Sequence, residues 1–415
     1  MIVSISKKQR RPFEILLWML WTSTILMKYV RAVILRVPII GGFPDVVMTA
    51  CFTFAILFAL RDFRITAKDI LFVLAVYLVF IIECLTRSQN NTYLEKYYFE
   101  FPLKTVLLYL VGSSLSMNER EDEIIDHLYI LSMITLPVCF AYNMIFGSPM
   151  DEIASKFQGN MDLAYHLLPH CCLIAYYAKK KTNILNVAFT VFGVFYLMLL
   201  GTRGAALMML LCVGWTLVLG QNSKKVFARI IVLCGVVVAF IMSPLYEAFI
   251  LWMYKIAQNL GLSVRIFDKL LSVGQMDSSG RDALAETLMA SVKAHTFWGT
   301  GLCSDRMLAG TYAHNIVLEL WVEFGVIIGT VVLVALIVTF LRGYLCSISS
   351  AEKGLIIVLI CSSFLKLFLS GSFMDDRWFF ALIGLCAGAI RKSKYKNLAK
   401  MFDFKENVRR ENCSD

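Results

Sequence analysis

Residues 312–329 read YAHNIVLELWVEFGVIIG, a Tyr-Ala-His-Asn entry that runs into an apolar stretch reaching about residue 341. The only charged side chains in that stretch are Glu319 and Glu323. About 20 apolar residues cross a bilayer, so this segment predicts a helix passing from an aqueous loop into lipid. Working outward, apolar runs recur at 13–30, 46–60, 69–86, 101–116, 124–146, 161–178, 183–200, 205–220, 228–246, 316–341, 354–370 and 378–390. Twelve crossings take roughly 240 residues, which fits the 415 of this chain with one sizeable loop to spare. Some runs are short for a crossing, and leaving them out gives ten or eleven. The composition agrees: 59% hydrophobic and 17% charged, against about 45–50% and about 25% in soluble domains. The expected fold is an all-α polytopic integral membrane protein of about 12 transmembrane helices, one multi-span domain over 1–415. Soluble multidomain enzymes and disordered scaffolds are excluded.

The net charge of +10 comes as short punctuation between the apolar runs. Lys7, Lys8, Arg10 and Arg11, then Arg61, Arg64 and Lys68, Lys179–Lys181, Lys224, Lys225 and Arg229, Arg342 and Lys353, and Arg391–Lys396 alternate with loops poor in basic residues. The positive-inside rule puts both termini in the cytoplasm and the long segment 247–315 outside. Such dispersed charge does not form the basic face that nucleic acid requires, so no nucleic-acid partner is expected. Of the twelve cysteines, most lie inside apolar runs and read as small hydrophobes; Cys303, alone in the outer loop, has no partner there. No CxxC or Cys/His metal spacing occurs. The basic N-terminus lacks an obvious cleavage site and reads as leading into a retained first span.

The loop 247–315 is too long for a connector. Its positive and negative side chains balance, so an anion site there must be built from individual arginines. Residues 245–271 mix aromatics with single charges, as suits a segment lying on the membrane surface. Residues 281–295 place Leu284, Leu288, Met289 and Val292 on one helical face, with Ser279 and Asp282 as an approximate capping box.

Three outer-face features carry candidate chemistry. Gly201-Thr202-Arg203-Gly204 is a turn that sets Arg203 at headgroup level; the simpler reading is an arginine snorkelling to water or lipid headgroups. Ser278-Ser279-Gly280-Arg281-Asp282 places Arg281 in the first turn of a helix, where a cation is disfavoured unless an anion docks with it. The simpler reading there is a salt bridge to Asp277 or Asp282. In His314-Asn315 the imidazole can take a proton near neutral pH, as a hydroxyl nucleophile requires, and Asn315 would fix the ring or a ligand; the simpler reading is an interfacial histidine. Glu319 and Glu323 are costly in lipid unless they face an aqueous cleft or a cation.

The segments FWGTGLCSDR and YAHNIVLELWVEFGVIIG resemble the signature region of the bacterial O-antigen ligase and polymerase family, in which His-Asn precedes nine residues and a Gly-x-x-Gly. The Gly-Thr-Arg-Gly turn and Ser-Gly-Arg281 are similar to that family's two arginine sites. The second glycine, Gly329, comes one residue later than the family pattern. The resemblance covers 193–333. It implies glycosyl transfer on the outer face of the bacterial cytoplasmic membrane from an undecaprenyl-diphosphate-linked oligosaccharide. Arg203 and Arg281 would hold the diphosphate, and His314 would serve the acceptor hydroxyl as general base or positioning group. A diphosphate leaving group is stabilised by two arginines without a metal, so no metal or cofactor is expected. Asn315, Glu319, Arg377 and His166 are the further substrate-binding candidates. Partners implied are the bilayer, a chain-length regulator and a flippase.

Other polar residues carry less. His166 and His170 lie four apart, with Asp162 a turn earlier, and read as a metal pair lacking a third ligand, as cleft lining or as packing. Arg377 reads as reaching the cleft or pairing with Asp375 or Asp376. Lys366 reads as snorkelling or contacting phosphate, and His127 and His295 as structural. The function expected is a polysaccharide polymerase joining lipid-linked repeats. A ligase to lipid A core or another surface acceptor is the close alternative, and a flippase of lipid-linked oligosaccharide is the rival of another class.

Overall fold

A computed structural model describes residues 11–34, 54–55, 58–87, 92–95, 97–146, 161–181, 183–200, 202–218, 244–259 and 281–411. Expectations resting on Gly201, the runs at 46–60 and 228–246, and residues 260–280, the Ser278–Gly280 turn included, lie largely outside them. All described secondary structure is helical. The longer helices are α1 (Arg11–Ile34), α2 (Ala67–Arg87), α3 (Leu108–Ser116), α4 (Glu121–Phe146), α5 (Met161–Lys180), α6 (Ile184–Leu199), α7 (Arg203–Val218), α8 (Pro244–Asn259), α9 (Arg281–Ala294), α10 (Ser304–Ala309), α11 (Ile316–Cys346), α12 (Ser350–Leu359) and α13 (Arg377–Glu411).

Three stretches, Ala67–Thr86, Glu121–Met144 and Ile316–Cys346, are long and apolar enough to cross a membrane, and Ile184–Leu199 and Arg203–Leu217 are shorter apolar helices. The exposed face of α2 carries Ile70, Leu71, Leu74, Leu78, Ile81 and Leu85, and that of α11 Ile327, Val331, Val334 and Leu341. Continuous apolar faces of this size are unfavourable in water and natural in lipid.

The chain divides into two compact units. The first comprises residues 1–62 and 126–279. There Trp21 of α1 donates from Nε1 to Ser132 Oγ of α4 at 2.9 Å, and Ser132 meets Nδ1 of the buried His170 of α5 at 3.1 Å. Tyr129 donates to Asn186 at 2.5 Å, and Tyr177 to Asp126. Each polar group thus finds a partner across a helix pair, as burial in an apolar bundle demands.

The second unit comprises residues 63–125 and 280–415. Its centre is α3 against α13. A Cβ on Gly112 would strike the Ala381 carbonyl, one on Gly384 the Tyr109 carbonyl, and one on Gly388 the Ser116 side chain. The two backbones therefore touch, which small residues alone allow. Helix starts follow their caps: Ser349 accepts from Glu352 N–H at 3.0 Å, and Asp69 accepts from Thr66 N–H at 2.9 Å.

Helix α11 is the element that positions everything below. Inside it Gly325 has φ 81° and ψ 163°, which no helix contains. A straight helix separates residues nine apart by roughly 13 Å. Here a Cβ on Gly329 would come 2.6 Å from the Leu320 carbonyl oxygen, and Trp321 Nε1 donates to Thr330 Oγ1 at 3.0 Å. The chain therefore folds back on itself. The run 316–341, expected as one crossing, is a short helix 316–324 followed by an unbroken helix 326–346. The second piece is about 31 Å long and alone matches the roughly 30 Å of hydrocarbon. The break is held by the loop before it. Thr300 and Gly301 N–H donate to Val322 and Glu323 carbonyls at 2.8 and 2.9 Å, and Val326 N–H donates to Thr296 O at 2.8 Å.

The expected helix in the long loop is α9, beginning at Arg281. Its Leu288 and Val292 are buried with Ala313, Leu318 and Val322, and Leu284 and Met289 pack at the edge. The nine described cysteines are free thiols, seven of them buried; Cys303 is among the seven.

Candidate active site

The apolar face of α9 docks on the first piece of α11, which brings its N-terminal residue, Arg281, towards the loop that ends at His314. Arg281 is exposed and donates to the Leu369 carbonyl at 3.1 Å. His314 has φ 57°, in the left-handed region rarely occupied by residues with a Cβ. Its ring lies 4.1 Å from that of Tyr312, tilted by 46°, and its Nδ1 is buried without a hydrogen-bond partner among the described residues. Burial first, and then the charge of Arg281, push the imidazole pKa below its ordinary 6.5, with Asp305 acting in the opposite sense. Asn315 caps α11, its Oδ1 accepting from Val317 and Leu318 N–H at 2.9 and 3.4 Å. That fixes the backbone beside His314, rather than the ring.

Beneath His314 lies a buried ionic cluster. Asp305, Glu319, Glu323 and Arg306 are exposed by only 0, 0, 1 and 5%. Arg306 Nη1 is 2.9 Å from Asp305 and 3.6 Å from Glu319, and its Nη2 is 3.3 Å from Asp375. The guanidinium sits 5.2 Å above the Tyr97 ring, and Tyr97 donates to Asp375 at 3.0 Å. Burial opposes its charge, but Asp305 and Glu319 outweigh that and raise its pKa. Glu319 further accepts from Ser372 Oγ and from Phe373 N–H at 3.4 Å; Glu323 accepts from Cys303 N–H at 2.8 Å. Burial pushes the Cys303 thiol pKa up. Asp305, Glu319 and Glu323 each bring one oxygen within 4.8 Å of the others, close enough to share a cation. Arg306 already places its guanidinium against two of them.

The expected residues are distributed as follows. His314, Arg281, Asn315, Glu319 and Arg377 belong to the second unit, and Arg203 and His166 to the first. Arg203 is exposed and opens α7. His166 pairs with Asp162 at 3.0 Å. Arg377 is half-buried at the start of α13. Asp376 is held by Lys366 and by Ser363 Oγ at 2.8 Å, so Lys366 has an ion-pair partner within the protein. His127 bonds to Glu14, and His295 caps back onto Ser291 O at 3.3 Å.

Asp305, Arg306, Glu323 and Asp375 were not singled out as site residues. The signal available was Glu319 and Glu323 in an apolar run, which require a cation; the neighbouring sequence Ser304-Asp305-Arg306 supplies one.

Three helices long and apolar enough to cross a membrane, with His314, Arg281 and a buried ionic cluster in the second unit, fit an integral membrane protein whose described residues are helical. Residues 188–334 match the family model described as O-antigen ligase. The match spans nearly the same segment as the resemblance read from the sequence, and supports that resemblance. Nothing in it points to a flippase. No curated protein matches the chain.

Proposed function

We propose that the protein transfers a glycan from undecaprenyl diphosphate to a sugar hydroxyl at the outer face of a bacterial cytoplasmic membrane, acting as a polysaccharide polymerase. The observation that carries this reading is the packing of the helix that Arg281 opens on the helix that follows His314, within the family-matched segment. In the reaction, the acceptor oxygen forms a bond to the anomeric carbon while the bond from that carbon to the phosphate oxygen breaks. The electron pair leaves on the diphosphate, whose charge Arg281 and Arg203 stabilise without a metal. His314 orients the acceptor hydroxyl or takes its proton. Asn315, Arg377 and His166 keep their assignment to substrate binding in this reading, whereas Glu319 is fully buried and belongs to the ionic cluster that supports His314. The family match fits equally a ligase that transfers a finished glycan to lipid A core or another surface acceptor.

His314→Ala is expected to leave the protein level unchanged, abolish polymer and accumulate single lipid-linked repeats outside the membrane. Polymer of normal length in that variant sinks the reading. With purified protein and defined acceptors, elongation of a lipid-linked repeat marks a polymerase and transfer to lipid A core a ligase. Loss of transfer on chelation overturns the metal-free mechanism.

The pH profile follows from the lowered imidazole pKa. A depressed value keeps the ring neutral to more acidic pH, so the acid limb of kcat/KM is expected below 6.5. Arg281→Gln removes a like charge that disfavours imidazolium, and should move that limb to higher pH. An unshifted limb in that variant would disconnect the two residues.

A further inference from the structure

We infer that Asp305 is a positioning residue for His314, held in register by Arg306 and Glu319. This rests on the reading of His314 as the acceptor-side group. The left-handed backbone of His314 needs restraint from its neighbours, because a residue with a Cβ leaves that region readily. Both neighbours are pinned. On one side Ala313 N–H donates to Asp305 Oδ2 at 2.8 Å; on the other Asn315 caps α11. The second oxygen of Asp305 accepts from Arg306 backbone N–H at 2.8 Å and from its Nη1 at 2.9 Å. The same Nη1 reaches Glu319, four residues beyond Asn315 on α11. The path from His314 through Ala313, Asp305, Arg306 and Glu319, and back along one turn of helix, is thus a closed ring of covalent bonds, hydrogen bonds and ion pairs.

Nothing in this ring except His314 is placed to touch substrate; Asp305 and Glu319 are fully buried. Well-packed apolar residues would stabilise such a core as well or better. What a carboxylate adds is direction: its two oxygens are committed to different partners, and so fix the chain on which the imidazole stands.

The test is Asp305→Asn in purified protein with a defined lipid-diphosphate donor. Asparagine keeps the size but offers one accepting oxygen for partners that now use two. Displacing a catalytic group slightly costs about 100-fold in rate, so kcat should fall by about that factor while KM for the donor moves by less than about threefold. A purely structural role predicts instead a loss in proportion to unfolded protein, with kcat per folded molecule unchanged. Folded Asp305→Asn with wild-type kcat overturns the inference. If His314→Ala itself retains transfer, the reading of the site has failed instead. Should Asp305→Asn not fold, hydrogen exchange decides on the wild-type chain: the Ala313 amide is expected to be protected, and rapid exchange there overturns the inference.

Discussion

Gly325→Ala is expected to yield little folded protein. At φ 81° and ψ 163° the backbone occupies a region essentially reserved for glycine, and forcing another residue there costs on the order of 1–3 kcal/mol. The new Cβ would also strike the Phe297 carbonyl and come 2.9 Å from Gly299 N. These are main-chain atoms and cannot swing aside. Moving them apart endangers the three hydrogen bonds that tie residues 296–301 to 322–326, each worth about 1 kcal/mol. The sum is several kcal/mol, against about 5–15 kcal/mol for a whole domain. Gly310→Ala is the comparison: its φ is 73° but nothing lies within 4 Å of a new Cβ, so only the conformational cost of about 1–2 kcal/mol applies. Yield of monodisperse protein in detergent and the thermal midpoint measure both. A Gly325→Ala protein melting with the wild type would mean that the reversal in α11 is not needed.

Arg306→Met is the second large effect. Methionine is apolar and flexible, so the loss is chiefly of charge and hydrogen bonds. Removing one partner of a buried ion pair costs about 3–5 kcal/mol, because the remaining charge is left uncompensated; here Asp305 and Glu319 both lose their guanidinium. Adding Glu319→Gln removes one of the stranded carboxylates and should recover part of the loss. That recovery, read as a rise in thermal midpoint of the double variant over the single, separates electrostatics from packing. If Arg306→Met is as stable as wild type, the cluster does not hold this end of the unit together.

The long apolar runs were legible in the sequence because a membrane imposes a length and a composition that few other environments require. The α9 face was legible for a similar reason: Leu284, Leu288 and Val292 repeat at helical spacing, and Leu288 and Val292 bury while Leu284 packs at the edge. Motif spacing and charge single out His314 and Arg281 as candidates. The ionic cluster was not. Asp305 and Arg306 looked like two of many balanced loop charges, and adjacent residues reveal nothing about which is buried. Their burial depends on Glu319, Asp375 and Tyr97, which are far away in sequence. The reversal at Gly325 was hidden for the same kind of reason. A glycine in an apolar helix is tolerated, and only the approach of Phe297 and Gly299 shows that this one is required. Asn315 was read towards the ring or a ligand, yet an asparagine just before an apolar run is first of all a helix cap.

The hydrogen bonds to Glu319 come from Ser372 and Phe373, 53 and 54 residues later in the chain. A ribosome completes the histidine and its helix well before it makes the turn that secures them. Until that turn is made, the carboxylate of Glu319 lacks those two donors. A chain stopped after residue 334 would contain the whole family-matched segment and still lack the donors to Glu319, which only the C-terminal segment supplies.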